Sequence, residues 1–171
     1  MQITTLCQIF SRLFYDKYKT RVQYGYPEPV YQPHLNGGDA LICCREEYLS
    51  SVLHEVAHWC IAGEKRRSEP DYGYWYEPDG RTEQQQAKFE HVEVKPQAIE
   101  WLFSLAIGHP FHLSADNLDG TVGASKTFTD AVYKQASSYL RGGLPNRAQS
   151  FLNELLVVTG TSLCIEDLVK P

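Results

Sequence analysis

The sequence predicts an α+β fold, a helix-dominated single domain over residues 1–171 with a small β-sheet. Three observations carry that prediction. Apolar residues recur at spacings of three and four in several segments, the pattern of amphipathic helices. One short run, residues 40–44, is apolar and preceded by turn-formers, as a buried strand would be. No repeat, low-complexity tract or linker divides the 171 residues, a length that can bury a core of its own.

The first helix is set by Ile3, Leu6, Cys7, Phe10, Leu13, Phe14 and Tyr18, which form one stripe; Arg12, Asp16, Lys17 and Lys19 fall off it. Pro27, Pro29, Pro33, Gly37 and Gly38 then leave little room for helix, with Val30-Tyr31 a short extended piece. The strand at 40–44 follows, then a second helix over residues 46–62. Gly63 suits its C-cap, and Lys65-Arg66-Arg67 suit the negative end of its dipole. Residues 68–81 read as a loop or hairpin, with Pro78-Asp79-Gly80 as a turn. Thr82 and Gln85 make a capping box for another long helix, running towards Ile107. Pro96 should kink or split it, because proline removes a backbone bond. Residues 114–123 are polar and Gly-rich, hence loop. Phe128, Val132, Ala136, Tyr139 and Leu140 mark a further helix closed by Gly142-Gly143, and Pro145 starts one more, through Val158. The tail, residues 163–169, leaves room for another turn or two.

Composition narrows the function classes. A hydrophobic content of 43% with 22% charge is ordinary for a soluble protein, and a net charge of -5 argues against general nucleic-acid binding. The basic run Lys65-Arg66-Arg67 is either a solvated helix end or a docking edge for an acidic macromolecule. No apolar stretch approaches membrane-span length, and the first residues lack a basic segment and a cleavage site, so a cytoplasmic protein without a membrane partner is expected. Cys7, Cys43, Cys44, Cys60 and Cys164 are odd in number and form no C-x-x-C pair, so they read as reduced small hydrophobes.

Chemistry enters with His54-Glu55-Val56-Ala57-His58. On a helix the two histidines lie on one face, one turn apart, and two neutral imidazoles so placed make a clamp for a divalent metal. A third ligand has to come from another element. Residues 89–101 offer it: Glu93, Gln97 and Glu100 share one face at i, i+4 and i+7, with Glu90 a turn earlier, inside an otherwise greasy helix. Glu93 is centred in that face and is the favoured ligand; Glu90 and Glu100 are the alternatives. His91 points to another face, His109 and His112 are separated by Pro110, and His34 lies in a loop, so these four read as ordinary histidines.

Two imidazoles and a carboxylate serve two trades. With zinc they activate water for hydrolysis, with Glu55 as the general base of a metallopeptidase. With iron(II) they form a facial triad with open positions for dioxygen and substrate. Spacing alone does not separate them.

The surroundings do. His54 through Gly63, Arg66-Arg67, Asp71-Tyr72-Gly73-Tyr74-Trp75-Tyr76-Glu77-Pro78-Asp79-Gly80-Arg81, Phe89-Glu90 and Glu93-Val94-Lys95-Pro96-Gln97-Ala98 together resemble the bacterial elongation factor P hydroxylase family. The resemblance runs from the first helix to about His112; beyond Ser114 no motif matches. It implies a zincin-like, metallopeptidase-type scaffold around the HExxH helix. It implies a cytoplasmic non-haem iron(II) monooxygenase using dioxygen, with zinc or another divalent metal possible in the purified protein. Its substrate would be elongation factor P carrying a β-lysylated lysine, hydroxylated as the last step of that modification. His54, His58 and Glu93 would hold the metal. Glu55 would orient bound water or dioxygen, or neutralise a substrate ammonium. Asp71, Glu77 and Asp79, with Glu90 and Glu100 behind, would meet the amines. Tyr72, Tyr74, Trp75 and Tyr76 would wall a channel for the aliphatic arm, unless a packed hairpin buries alternate rings.

Overall fold

Helix α1 (Ile3–Tyr18) lays Leu6, Phe10 and Phe14 of the predicted stripe into the core, together with Ile9, which the stripe did not include. The computed structural model describes residues 1–34, 37–73, 81–115 and 124–170. Lys19 ends α1 in the left-handed region, at φ 44°, and turns the chain into β1 (Thr20–Tyr26). The sequence reading missed β1, although Thr20, Val22 and Tyr24 alternate with Arg21 and Gln23 at the strand period of two. Strand β2 (Val30–Gln32) and strand β3 (Ala40–Arg45) sit near their expected places. The sheet order is β1-β3-β2, with β1 parallel and β2 antiparallel to β3. The central strand is therefore the one whose apolar run marked it: Ile42, Cys43 and Cys44 are fully buried.

Helix α2 (Leu49–Ile61) follows and packs on β3. It begins three residues later than expected, because Glu46 stays with the strands, exchanging backbone bonds with Gly25 and Tyr26. Its end also differs. Ala62 is the C-cap, and Gly63, at φ -64°, opens a separate short helix α3 (Glu64–Arg67) that takes the whole basic run. Helix α4 (Glu83–Ala106) begins with the expected Thr82–Gln85 capping box and continues through Pro96 as one helix of 24 residues. The expectation of a split fails: Pro96 lies within the helix and is buried, as are its helix neighbours Glu93, Gln97, Ala98, Ile99 and Glu100. Packing there outweighs the cost of a mid-helix proline, ~3 kcal/mol. Helices α5 (Lys126–Gly142) and α6 (Asn146–Thr159) pack against α4. The α+β reading holds, with helices predominating. Among the described residues no helix is long and apolar enough to cross a membrane.

The core centres on Trp59. Its ring is met edge-on by Phe10 at 4.8 Å and Tyr18 at 5.2 Å, and tilted by Phe14 at 5.0 Å, while Phe151 of α6 reaches Phe10 and Phe103. This cluster fixes the back of α2 and leaves its front to face a cleft.

Candidate metal centre

The sequence of α2 divides the helix lengthwise. Val52, Leu53, Val56, Ala57, Trp59 and Cys60 are buried, and His54, Glu55 and His58 are half-buried along a cleft of about 750 Å³. The helix end is held by cations from two directions. Arg67 donates to the Ala62 carbonyl at 2.6 Å, and Arg147 of α6 donates to the Trp59 carbonyl at 3.0 Å and to Ala62, with its guanidinium 4.8 Å from the Trp59 ring centre. Positive charge on these last carbonyls is where the helix dipole favours it.

Across the cleft, α4 presents three polar side chains that are almost wholly enclosed: Glu93 at 3% exposure, Gln97 at 1% and Glu100 at 7%. The Glu93 carboxylate lies 3.2 Å from His58 Nε2 and 3.6 Å from His54 Nε2, and the two Nε2 atoms are 3.1 Å apart. All three side chains offer a ligand atom within 4.8 Å of the others. The opposite nitrogen of His54, Nδ1, is 2.8 Å from Glu100 Oε2. Gln97 is 3.4 Å from Glu93 and exchanges two bonds with the Ser114 backbone, at 2.8 and 3.0 Å, which ties the 109–114 wall of the cleft to α4.

Electrostatics follow from this crowding. Burial alone would push the His54 imidazole down, but Glu100, Glu93 and Glu55 together raise it to about 10. Burial likewise opposes ionisation of Glu93, yet His58 and His54 hold it down at about 2. Burial raises Glu55, with the charges of Glu93 and Asp71 acting in the same sense and the two histidines opposing. Glu55 has no hydrogen-bond partner among the described residues.

Three electron-rich atoms converging on one space suit a cation. Metal–nitrogen bonds of about 2.0–2.1 Å in tetrahedral geometry set neighbouring ligand atoms roughly 3.3 Å apart. The separations of 3.1, 3.2 and 3.6 Å bracket that figure.

Compared with known proteins, residues 9–167 match the family described as elongation factor P hydroxylase. This chain belongs to the elongation factor P hydroxylase family. It is 44% identical over 162 residues to the elongation factor P lysine hydroxylase of Haemophilus influenzae, covering 94% of this chain and 90% of that one. The family match extends well past Ser114, through α5 and α6, where the sequence alone offered no recognisable motif.

Within this member of the hydroxylase family, the other sequence-nominated residues are distributed unevenly. Asp71 and Tyr72 line the cleft. They stand in a 3-10 turn (Pro70–Gly73) with left-handed backbones, at φ 47° and 57°, conformations that cost a non-glycine residue about 1–3 kcal/mol. Asp71 Oδ1 accepts from the Tyr31 N–H at 2.7 Å, and the Arg66 guanidinium donates to the Tyr72 carbonyl at 3.2 Å. The Tyr72 ring is thereby stacked on Tyr31 at 4.3 Å and lies parallel to His58 at 6.2 Å. Burial raises its phenol well above the usual value, with the Glu55 charge adding. Glu100 lines the cleft but is engaged with the rear of His54 rather than with the common ligand space.

Glu90 does not join the cleft. Its carboxylate accepts from the Ser125 hydroxyl at 2.7 Å and the Ser125 N–H at 3.3 Å, clipping α4 to the start of α5. Tyr74, Trp75, Tyr76, Glu77 and Asp79 lie outside the described residues. Sequence reasoning passed over Glu28, Arg45, Tyr48 and Ser51 near the sheet, which also line the cleft, and nothing in their pattern pointed to it. His109 and His112, set aside from sequence as ordinary histidines separated by Pro110, line it too.

Proposed function

We propose that this chain hydroxylates the β-lysylated lysine of elongation factor P, as a cytoplasmic non-haem iron(II) monooxygenase built on a zincin-like scaffold in a single catalytic domain. The observation that carries this reading is the convergence of His54, His58 and Glu93 on a cleft wall, in a member of the hydroxylase family. The naming of a 44% identical relative as a lysine hydroxylase supplies the substrate class. Placement of the two-histidine helix against β3 supports the scaffold.

Two neutral imidazoles and an ionised carboxylate are the donor set of a facial triad, which leaves positions for dioxygen and substrate. Bound iron(II) would supply the oxygen activation that an unactivated C–H bond requires. The chain's own residues do the rest. Hydroxylation inserts one oxygen atom of dioxygen into a C–H bond and releases the other as water, so two electrons from a reductant are consumed. Glu55 lies close enough to both imidazoles to feel their charge and has no hydrogen-bond partner among the described residues, which leaves it free to orient water or to offset a substrate ammonium. Asp71 is anchored by Tyr31, so its carboxylate enters the cleft at a fixed place and favours a cationic arm. The Tyr72 ring lies nearly parallel to the His58 imidazole, on the wall beside it.

The test is a reconstitution. The protein is purified without oxygen, its iron and zinc are measured, and β-lysylated elongation factor P is supplied with a reductant and air. The expected product is the factor heavier by one oxygen atom on the modified lysine. Full iron occupancy with no mass gain would overturn the reading. Zinc with chelator-sensitive proteolysis that disappears in Glu55→Gln would install the peptidase reading in its place.

A further inference from the structure

We propose that Glu100 is a positioning residue: it fixes His54 in the Nδ1–H tautomer and aims Nε2 at the metal position. This rests on the metal-centre reading above. A neutral imidazole has one N–H and one lone pair, and an ionised carboxylate can only accept. With Glu100 Oε2 at 2.8 Å from Nδ1, the proton belongs on Nδ1, and the lone pair is delivered to Nε2. That nitrogen is the one facing His58 Nε2 at 3.1 Å and Glu93 at 3.6 Å. Glu100 makes no other hydrogen bond among the described residues, and it is buried, so the contact is shielded from water.

The two rings are therefore unequal. His54 has a carboxylate behind it. Among the described residues no hydrogen bond or ion pair reaches the Nδ1 of His58, whose Nε2 meets His54 and Glu93. A carboxylate behind a ligating imidazole fixes ring orientation and raises ligand basicity. Glu100 thus acts on the metal through His54. It also explains why α4 carries a second buried acid two turns beyond Glu93, beside the buried apolar residues Ala98, Ile99, Trp101, Leu102 and Phe103.

Cobalt(II) is the probe, because its binding and its spectrum are read without any reaction. Metal-free wild type, Glu100→Gln and Glu100→Ala are titrated with cobalt(II) against a chelator, and folding is checked by circular dichroism. Wild type should show an exchangeable, paramagnetically shifted N–H resonance from His54. Glu100→Ala should bind about 10- to 100-fold more weakly and lose that resonance to solvent exchange. Glu100→Gln should keep the resonance, since an amide oxygen still accepts, yet bind more weakly than wild type because the charge is gone. Wild-type affinity in both variants would overturn the proposal. If Glu100→Ala does not fold, unchanged affinity in Glu100→Gln overturns it alone. Failure of wild type itself to bind cobalt(II) would instead sink the metal reading on which this rests.

Discussion

The two long faces of α2 make a contrast. One buries Trp59 among Phe10, Phe14 and Tyr18; the other carries His54 and His58 opposite the acids of α4. The apolar face is redundant, with many weak contacts sharing the load. The polar face depends on a few groups, each with a distinct job. A defect in the first should be felt as lost stability, and a defect in the second as lost chemistry in a folded chain.

The sharpest way to break the contrast is Trp59→Ala. Trp59 is fully buried, so the variant should lose about 3–5 kcal/mol, seen as a large fall in the urea midpoint. His58→Ala comes next. It should abolish retention of a divalent metal through gel filtration, while costing the chelator-treated fold much less than Trp59→Ala. A midpoint loss as large as that of Trp59→Ala would mean the polar face is structural after all.

A pH series probes the polar face more gently. In the metal-free chain burial depresses His54, but its acidic neighbours raise it to about 10, from an ordinary 6.5. A raised folded value means its stabilisation is complete below pH 6.5 and disappears as pH climbs towards 10. Urea midpoints of chelator-treated protein should fall across that window, and metal-loaded protein, with the proton displaced, should lack this component. Smallest is Glu90→Ala, which removes the clip to Ser125. It should cost about 1 kcal/mol and leave metal stoichiometry intact. Loss of metal there would return Glu90 to the site.

Much of the centre was legible in the sequence because α-helical spacing is local. His54 and His58 are one turn apart in any helix, and Glu93, Gln97 and Glu100 share a face in any helix. The division of labour between Glu90 and Glu100 was not legible. It depends on the direction in which α4 crosses α2, which places Glu100 by His54 and carries Glu90 off to Ser125. Strand β1 was legible in principle, since Thr20, Val22 and Tyr24 alternate with Arg21 and Gln23, but the run is short and polar at every second position, a weak signal beside the apolar strand it pairs with. The unbroken α4 was not legible, because tertiary packing around Pro96 overrides a local rule. Nor could Arg147 be foreseen: its target carbonyl at Trp59 lies 88 residues away in sequence.

That last contact bears on how far the chain can be trimmed. Arg147 belongs to α6, remote from every cleft residue in sequence, yet it grips the final carbonyls of the helix that bears both imidazoles. A shortened protein ending before α6 would keep all three candidate ligands and still let that helix fray from its far end. The smallest unit competent for catalysis is thus larger than the outline of its reactive pocket, and inheritance of the pocket should carry this distant arginine along with it.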